Sequence, residues 1–366
     1  MLLSGVSAYF YEMSPDSNNF FFKLTHWESW HFHIKYIPIL PVWIWYCLRS
    51  RSLWFFTASN PTLTFGGMDG EGKEEMYKQL PPGTYPKSIV ISPGMEFKSV
   101  EKQVKDADLN YPFAAKPDVG MSGYLFRKIN SPAELFIYHA NMPVKYLMQD
   151  FIELPVEVSV FYYRMPYEKS GTVSGIAVKK IAEIIGDGKS SVKELIENHP
   201  HLRSTVGKML TRHAEALHII LPEGKNYKLS DATNRSQGGK MIGINFKPTA
   251  SFTKLFDDLS MYSGQLFYGR YDIKCNSVEE LKNGNFSILE FNGSGAEPHH
   301  IYGNGNTLFK AYKIIIAHWQ ILFKISRQNH QKGVPYWSYT RGAKFFKEAK
   351  KHFRMLKLLD ENTELT

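Results

Sequence analysis

Two strand-length runs, GQLFYGRYDIKC and FSILEFN, constrain this chain more than any other feature: each is largely apolar yet sets polar groups two positions apart. Residues two apart share one face of a strand. Arg270 and Asp272 therefore share a face in the first run, and Glu290 and Asn292 in the second. The polar stretch NSVEELKNGN between them suits a turn, so the strands can pair and bring Asp272, Glu290 and Asn292 together. Three hard oxygen ligands suit Mg²⁺, which takes one or two carboxylates with nucleotide phosphates and water. Without a cation a buried cluster of this kind would suffer charge repulsion.

A chain of 366 residues is long enough for one large domain or for two lobes around a cleft. Strands are expected in KSIVIS, YPFAAKPD, YLMQDFI and VEVSVFYYRMP, which are rich in aromatic and β-branched residues. Helices are expected in EFKSVEKQVKDA, in SPAELFIYHANM with its Ser131–Pro132 start, in SSVKELIENHP, and in one longer run, RSTVGKMLTRHAEALHIIL. From Asn306 the pattern is helical and ends in the basic amphipathic RGAKFFKEAKKHFRMLK. There is no internal repeat, and the mixture points to α+β or α/β lobes.

Two further stretches carry chemistry. In FAAKPDVGMSGYLFRKI a strand delivers Lys116, and Gly120, Ser122 and Gly123 make a turn whose amides can approach phosphate oxygens. A plain hairpin fits the same residues, and no Walker P-loop is present. In MQDFIELPVEVSV a hinge at Gln149, Asp150, Phe151 and Ile152 can offer backbone groups to an adenine edge, and Glu157 can accept from ribose hydroxyls. Taken alone, Glu157 reads more readily as a surface carboxylate on an edge strand.

Taken in order, these stretches resemble the ATP-grasp superfamily over roughly residues 85 to 300. That group includes D-alanine:D-alanine ligase, cyanophycin synthetase and glutathione synthetase. EIIGDGKSSVKELI and DATNRSQGG resemble two further segments of the same branch. The resemblance implies an α+β ATP-grasp fold, two α/β lobes with ATP and Mg²⁺ or Mn²⁺ between them. It implies that Lys116, Gly120, Ser122 and Gly123 meet the phosphates, that Gln149, Asp150, Phe151 and Ile152 hold adenine, and that Glu157 holds ribose. Asp272, Glu290 and Asn292 match the metal ligands; Arg270, Lys180, Asn234 and Arg235 match groups facing the reacting phosphate and substrate. The implied activity joins a carboxylate to an amine or thiol through an acyl phosphate. A kinase acting on a hydroxyl and a non-catalytic nucleotide-binding protein are the alternatives. The glycines of NGSG are expected to leave room for substrate, and His299 and His300 to form a solvated loop pair.

Five of the seven tryptophans lie in the first sixty residues, where the resemblance would place a substrate-binding domain. The uncharged run from Tyr36 to Leu48 contains two prolines and is shorter than the roughly 20 residues a spanning helix needs. Its apolar part starts too late for a cleaved signal. Tryptophans beside arginines suit a lipid boundary, so residues 27–56 read either as a peripheral membrane contact or as an arm packed on protein. His26, His31 and His33 read as part of this aromatic surface, since no ligand framework accompanies them. The net charge of +9 favours anionic partners, but no nucleic-acid motif is present. Cys47 and Cys275 suit a reducing compartment, hence the cytoplasm or the inner face of its membrane. The expected divisions are a Trp-rich segment at 1–60, a linker and reduced leading region at 61–110, the ATP-grasp domain at 111–303 and basic helices at 304–366. The identity of acid and nucleophile and the oligomeric state are not legible in the sequence.

Overall fold

A computed structural model describes residues 27–30, 32–203, 205–230, 233, 237–281 and 283–362. The described part opens with helices α1 (Phe32–Tyr36) and α2 (Leu40–Ser50). Pro41 lies in the first turn of α2, where a missing N–H is tolerated, and Arg51 in the left-handed conformation ends it. Helix α3 (Lys73–Tyr77) follows the Gly-rich connector.

Strands β1 (Ser88–Ile91), β2 (Phe113–Pro117), β3 (Arg127–Ile129) and β4 (Tyr146–Asp150) form an antiparallel sheet ordered β1-β4-β2-β3. Helices α4 (Phe97–Asp106) and α5 (Pro132–Asn141) pack on it through Val100, Val104, Leu135 and Tyr138, at the spacing a helix needs to bury one stripe. Ser131 caps α5 by accepting from the Glu134 N–H at 3.2 Å.

Residues 151–155 lead out of this small sheet into a larger one. It consists of β5 (Val156–Tyr163), β6 (Thr172–Lys180), β9 (Lys240–Ile244), β10 (Tyr268–Cys275) and β11 (Phe286–Asn292), antiparallel in the order β11-β10-β5-β6-β9. One face buries Val158, Val160, Tyr162, Tyr271 and Ile273 with Phe252, Phe256 and Leu259 of α8 (Ala250–Met261). Between β6 and β9 lies a satellite of β7 (Glu183–Ile185), β8 (Asn226–Lys228), α6 (Val192–Glu197) and α7 (Val206–Arg212) with its own core. A capping box of Ser191 and Glu194 starts α6, as SSVKELI suggests. The long helix expected through RSTVGKMLTRHAEALHIIL instead stops at Arg212 and is followed by a single 3₁₀ turn, Ala214–Ala216. His213 leaves helical geometry there, its ring joined to the Tyr227 hydroxyl at 3.1 Å and the Leu229 carbonyl at 3.0 Å.

Helix α9 (Val278–Leu281) occupies the turn before β11. Helix α10 (Leu308–Gln331) buries Ala311, Ile315, His318, Leu322 and Ile325, and α11 (Tyr339–Asn362) touches two cores, with Phe345 against the aromatic cluster and Ala349, Phe353 and Leu356 against the small sheet. Part of the N-terminal aromatic segment packs on the protein itself, while Trp45 and its aliphatic neighbours stay exposed. Trp27 stacks on Tyr302 and donates to the Asn306 carbonyl, and Trp43 lies against Phe55 and Trp319. No helix among the described residues is long and apolar enough to cross a membrane.

One buried side chain ties this segment to the large sheet. Asn60 donates to the Gly66 and Tyr268 carbonyls at 3.1 and 2.9 Å and accepts from the Phe267 and Tyr268 N–H groups at 2.9 and 3.1 Å. Asn60→Ala leaves buried backbone groups unpaired, and an unfolding titration should show a loss of about 2–4 kcal/mol.

Candidate active site

The pairing of β10 with β11 sets the site. Arg270 lies opposite Asn292 and Asp272 opposite Glu290, after which the register shifts so that Ile273 faces Ile288. The shift leaves Leu289 as the extra residue of a bulge, a feature that commonly re-aims groups beside active sites. Its carbonyl accepts from the Tyr77 hydroxyl at 2.8 Å and from Lys116 Nζ at 3.4 Å. The small sheet thus reaches β11 of the large one through Lys116.

Asp272 is the centre of the polar face. Arg270 donates to both its oxygens at 3.0 Å, Lys179 Nζ lies 3.1 Å from Oδ2, and Asn292 donates to Oδ2 at 3.2 Å. Ser159 donates to Oδ1 at 2.7 Å; with its one proton spent there, it accepts from His299 Nδ1 at 2.9 Å. Burial opposes ionisation of Asp272, but Arg270 and Lys179 outweigh it and hold the carboxyl well below the usual carboxylate range. Glu290 follows the same pattern: burial opposes its charge, while Lys73, at 3.3 Å, with Lys116 and Lys179 keeps its pKa low.

A second set of groups comes from the connector that the sequence suggests is a linker. Ser294 and Gly295 donate N–H to the Gly66 and Gly67 carbonyls at 3.1 and 3.0 Å. A Cβ on Gly67 would lie 2.7 Å from Gly293 Cα, and one on Gly295 would lie 2.0 Å from the Met68 carbonyl oxygen. The glycines of NGSG therefore let the connector backbone close on the site, where the sequence reading had them leaving room for substrate. This contact delivers Lys73 to Glu290. Gly120 sits beside it, a Cβ there lying 3.6 Å from Lys73 Nζ. Burial, then the neighbouring Lys73 charge, pushes the Lys116 ammonium down to about 7.

The chain turns after Lys116 through left-handed Ser122 and Gly123 and is anchored by α11, where Asp360 accepts from the Leu125 N–H at 2.9 Å and the His352 ring meets the Val119 carbonyl at 2.8 Å. Gln149 is buried on β4 with its side chain 3.5 Å from the Tyr77 hydroxyl. Asp150 ends β4, where its N–H donates to the Lys87 carbonyl at 3.0 Å. Phe151 lies under Lys128 and Lys274, 4.4 and 5.6 Å from its ring, and the Ile152 carbonyl accepts from Lys274 at 2.8 Å. Glu157 is engaged by Lys179 at 3.0 Å and Thr233 at 2.8 Å.

Lys180 is not brought to this cluster. It is exposed and, by strand alternation, points away from the face that carries buried Lys179. Asn234 and Arg235, with His26 and His31, lie outside the described residues. His299 and His300 are not a solvated pair: His299 is buried against Ser159, and burial lowers the His300 pKa to about 4. Sequence reasoning missed Lys73, Ser159 and Glu297. The alternation of Glu157 with Ser159 could have revealed the second; nothing local marks the others. Glu297 gives its carbonyl to Arg270 at 3.1 Å, and its carboxylate takes Lys35, Tyr36 at 2.7 Å and Tyr302 at 2.6 Å, so the N-terminal arm reaches the edge of the site.

The donor set fits a hard divalent cation, with two opposed carboxylates and an amide whose oxygen is presented if the group turns over. No cluster of three or more His, Cys, Asp or Glu suited to a metal exists among the described residues.

No protein-family model and no curated protein sequence matches the chain. Among solved structures it is similar to the bifunctional glutathione synthetase from Pasteurella multocida, with 14% identity over 72% of this chain and 38% of that one and a TM-score of 0.40. It is also similar to the D-alanine–D-alanine ligase from Bacillus anthracis, at 12% identity over 74% of this chain and 72% of that one, TM-score 0.39. The ATP-grasp ligase PsnB, solved with a minimal precursor, is 13% identical over 68% of this chain and 60% of that one, TM-score 0.34. At these scores the likeness carries no argument, and the site stands on its own residues.

Asp272→Asn leaves Arg270 and Lys179 buried against an uncharged amide, a loss of about 3–5 kcal/mol in urea unfolding at neutral pH. Because the folded-state pKa of Asp272 is depressed, its contribution is present above the unfolded value of about 4 and is lost as pH falls below it. The gap between wild type and variant should therefore narrow as pH falls from 6 to 3.

Proposed function

We propose that this chain is an ATP-dependent carboxylate ligase that forms an amide or related bond through an acyl phosphate. The observation that carries the reading is the convergence of Lys116 and Lys73 with Asp272, Glu290 and Arg270 where the two sheets meet. Phosphoryl transfer asks a protein mainly for positioning and for cations around the transferred group. Lys116 and Lys73 are two ammonium groups near each other with Glu290 shared between them, and a further anion there would relieve their repulsion. Arg270, locked on Asp272, can face a reacting carboxylate without reorganising. Asp272, Glu290 and Asn292 would hold magnesium, which supplies charge neutralisation for the nucleotide phosphates. Gly120, Ser122 and Gly123 would cover the phosphates, Gln149 to Ile152 would border adenine, and Glu157 would border ribose. Lys179 replaces Lys180 in this scheme, and Asn234 and Arg235 keep their assignment toward the γ-phosphate and substrate.

The carboxylate oxygen attacks the γ-phosphorus and ADP leaves; the nucleophile then attacks the acyl carbon, phosphate leaves, and the nucleophile gives up a proton. The reading includes a cytoplasmic setting and contact with a membrane surface through residues 27–56.

Hydroxylamine offered with ATP, magnesium and a set of acids should give a hydroxamate in step with ADP release, and Glu290→Ala should lower that rate on the order of 10²-fold or more. Release of ADP with a phosphorylated hydroxyl and no hydroxamate would make the protein a kinase. Lys116 supplies a second test. Below pH 7 its ammonium is charged before nucleotide binds; above pH 7 a proton must be taken up on binding. Nucleotide affinity should fall by up to about tenfold per pH unit from pH 7 to 9, with proton uptake visible by calorimetry in two buffers, and Lys116→Arg should flatten the slope.

A further inference from the structure

Helices α2 and α10 border a cavity of about 720 Å³ on the outer surface. Arg49, Lys324 and Arg327 line it together with Trp45 and Phe323, and all three cations are exposed. Neither helix carries a carboxylate. No Asp or Glu occurs between Glu28 and Asp69 or between Glu297 and Glu348, so the local sequence leaves this positive charge unbalanced. Gln328, which also lines the cavity, keeps a buried Oε1 without a hydrogen-bond partner.

The rim is apolar where a solvated surface would be polar. Ile44, Trp45 and Leu48 are 49%, 55% and 66% exposed on α2, and Ile37 and Leu53, just before and after the helix, are exposed as well. The Arg49 guanidinium lies 5.7 Å from the centre of the Trp45 ring. A helix with aliphatic and tryptophan side chains outward and arginines beside them matches the headgroup boundary of a bilayer, where aliphatic groups enter the acyl region and cations meet phosphates. Nucleic acid would match the charge but not Ile44, Leu48 and Ile37.

We propose that the α2–α10 face docks on an anionic phospholipid surface, with Arg49, Lys324 and Arg327 around a headgroup phosphate and Trp45 and Leu48 entering the acyl boundary. This deepens the membrane-surface part of the functional reading by adding residues of α10, and it is independent of the chemistry at Asp272.

The test is flotation of the full chain with vesicles of phosphatidylcholine alone or with one third phosphatidylglycerol. The anionic vesicles should bind the protein, the neutral ones far more weakly, and added salt should release it. With each cation worth about a factor of five near an anionic surface, Arg49→Gln/Lys324→Gln/Arg327→Gln should lose on the order of 10²-fold in affinity. These side chains are exposed, so the variant should keep its melting temperature and its ATP turnover. Trp45→Ala/Leu48→Ala should weaken binding at all salt concentrations. Equal binding to both vesicles, no binding, or an undiminished triple variant would overturn the proposal. So would binding of RNA or an acidic peptide by the same three cations without binding of vesicles. Loss of hydroxamate formation with vesicle binding intact would count against the ligase reading alone.

Discussion

Asp272, held by Arg270 on one side and Lys179 on the other, is the interaction on which the rest of the site depends. Charges buried in a sheet are tolerated only when paired and hydrogen-bonded, so each partner restricts where its strand can sit. Lys179 ties β6 to β10, Ser159 ties in β5, and Asn292 ties in β11. A one-residue slip of β10 would turn Asp272 into the face that buries Tyr271 and Ile273. Register and electrostatics therefore specify each other.

Around this fixed centre the protein leaves a deliberate imbalance. Lys73 and Lys116 approach Glu290 from two different segments, and their mutual repulsion, on top of burial, leaves Lys116 only about half charged at neutral pH. Such a conflict costs stability and is characteristic of binding sites. The parts that hold it in place lie far apart in sequence: the connector pressed on Gly293 and Gly295, helix α11 anchoring the turn after Lys116, and Lys35 and Tyr36 fastening Glu297 behind Arg270. The short aromatic N-terminal segment thus buttresses the edge of the site from outside.

What could be seen in the sequence follows from the range of the signals. The alternation that puts Glu290 and Asn292 on one face is local and survives into the structure, as do the strands at Lys116 and Gln149 and the capped helix at Ser191. The bulge at Leu289 is not local, because it depends on which residues of β10 face β11. Choosing between Lys179 and Lys180 required the phase of β6, which two adjacent lysines do not reveal. Lys73 entered the site through a backbone approach that only the positions of Gly67, Gly293 and Gly295 in space make plain. The buried state of His299 likewise depends on Ser159, more than a hundred residues away. Aromatic composition alone could not separate the tryptophans that pack inward, Trp27 on Tyr302 and Trp43 on Trp319, from the exposed Trp45.

On this reading the junction of the two sheets at Lys116 and Glu290 receives a magnesium nucleotide. A crystal structure with magnesium and a non-hydrolysable ATP analogue tests it most directly. Phosphate oxygens should lie within hydrogen-bond reach of Lys116 and Lys73, with a cation bound to Asp272 and Glu290. Nucleotide bound elsewhere, or none bound at saturating analogue with Lys73 still on Glu290, would overturn the reading.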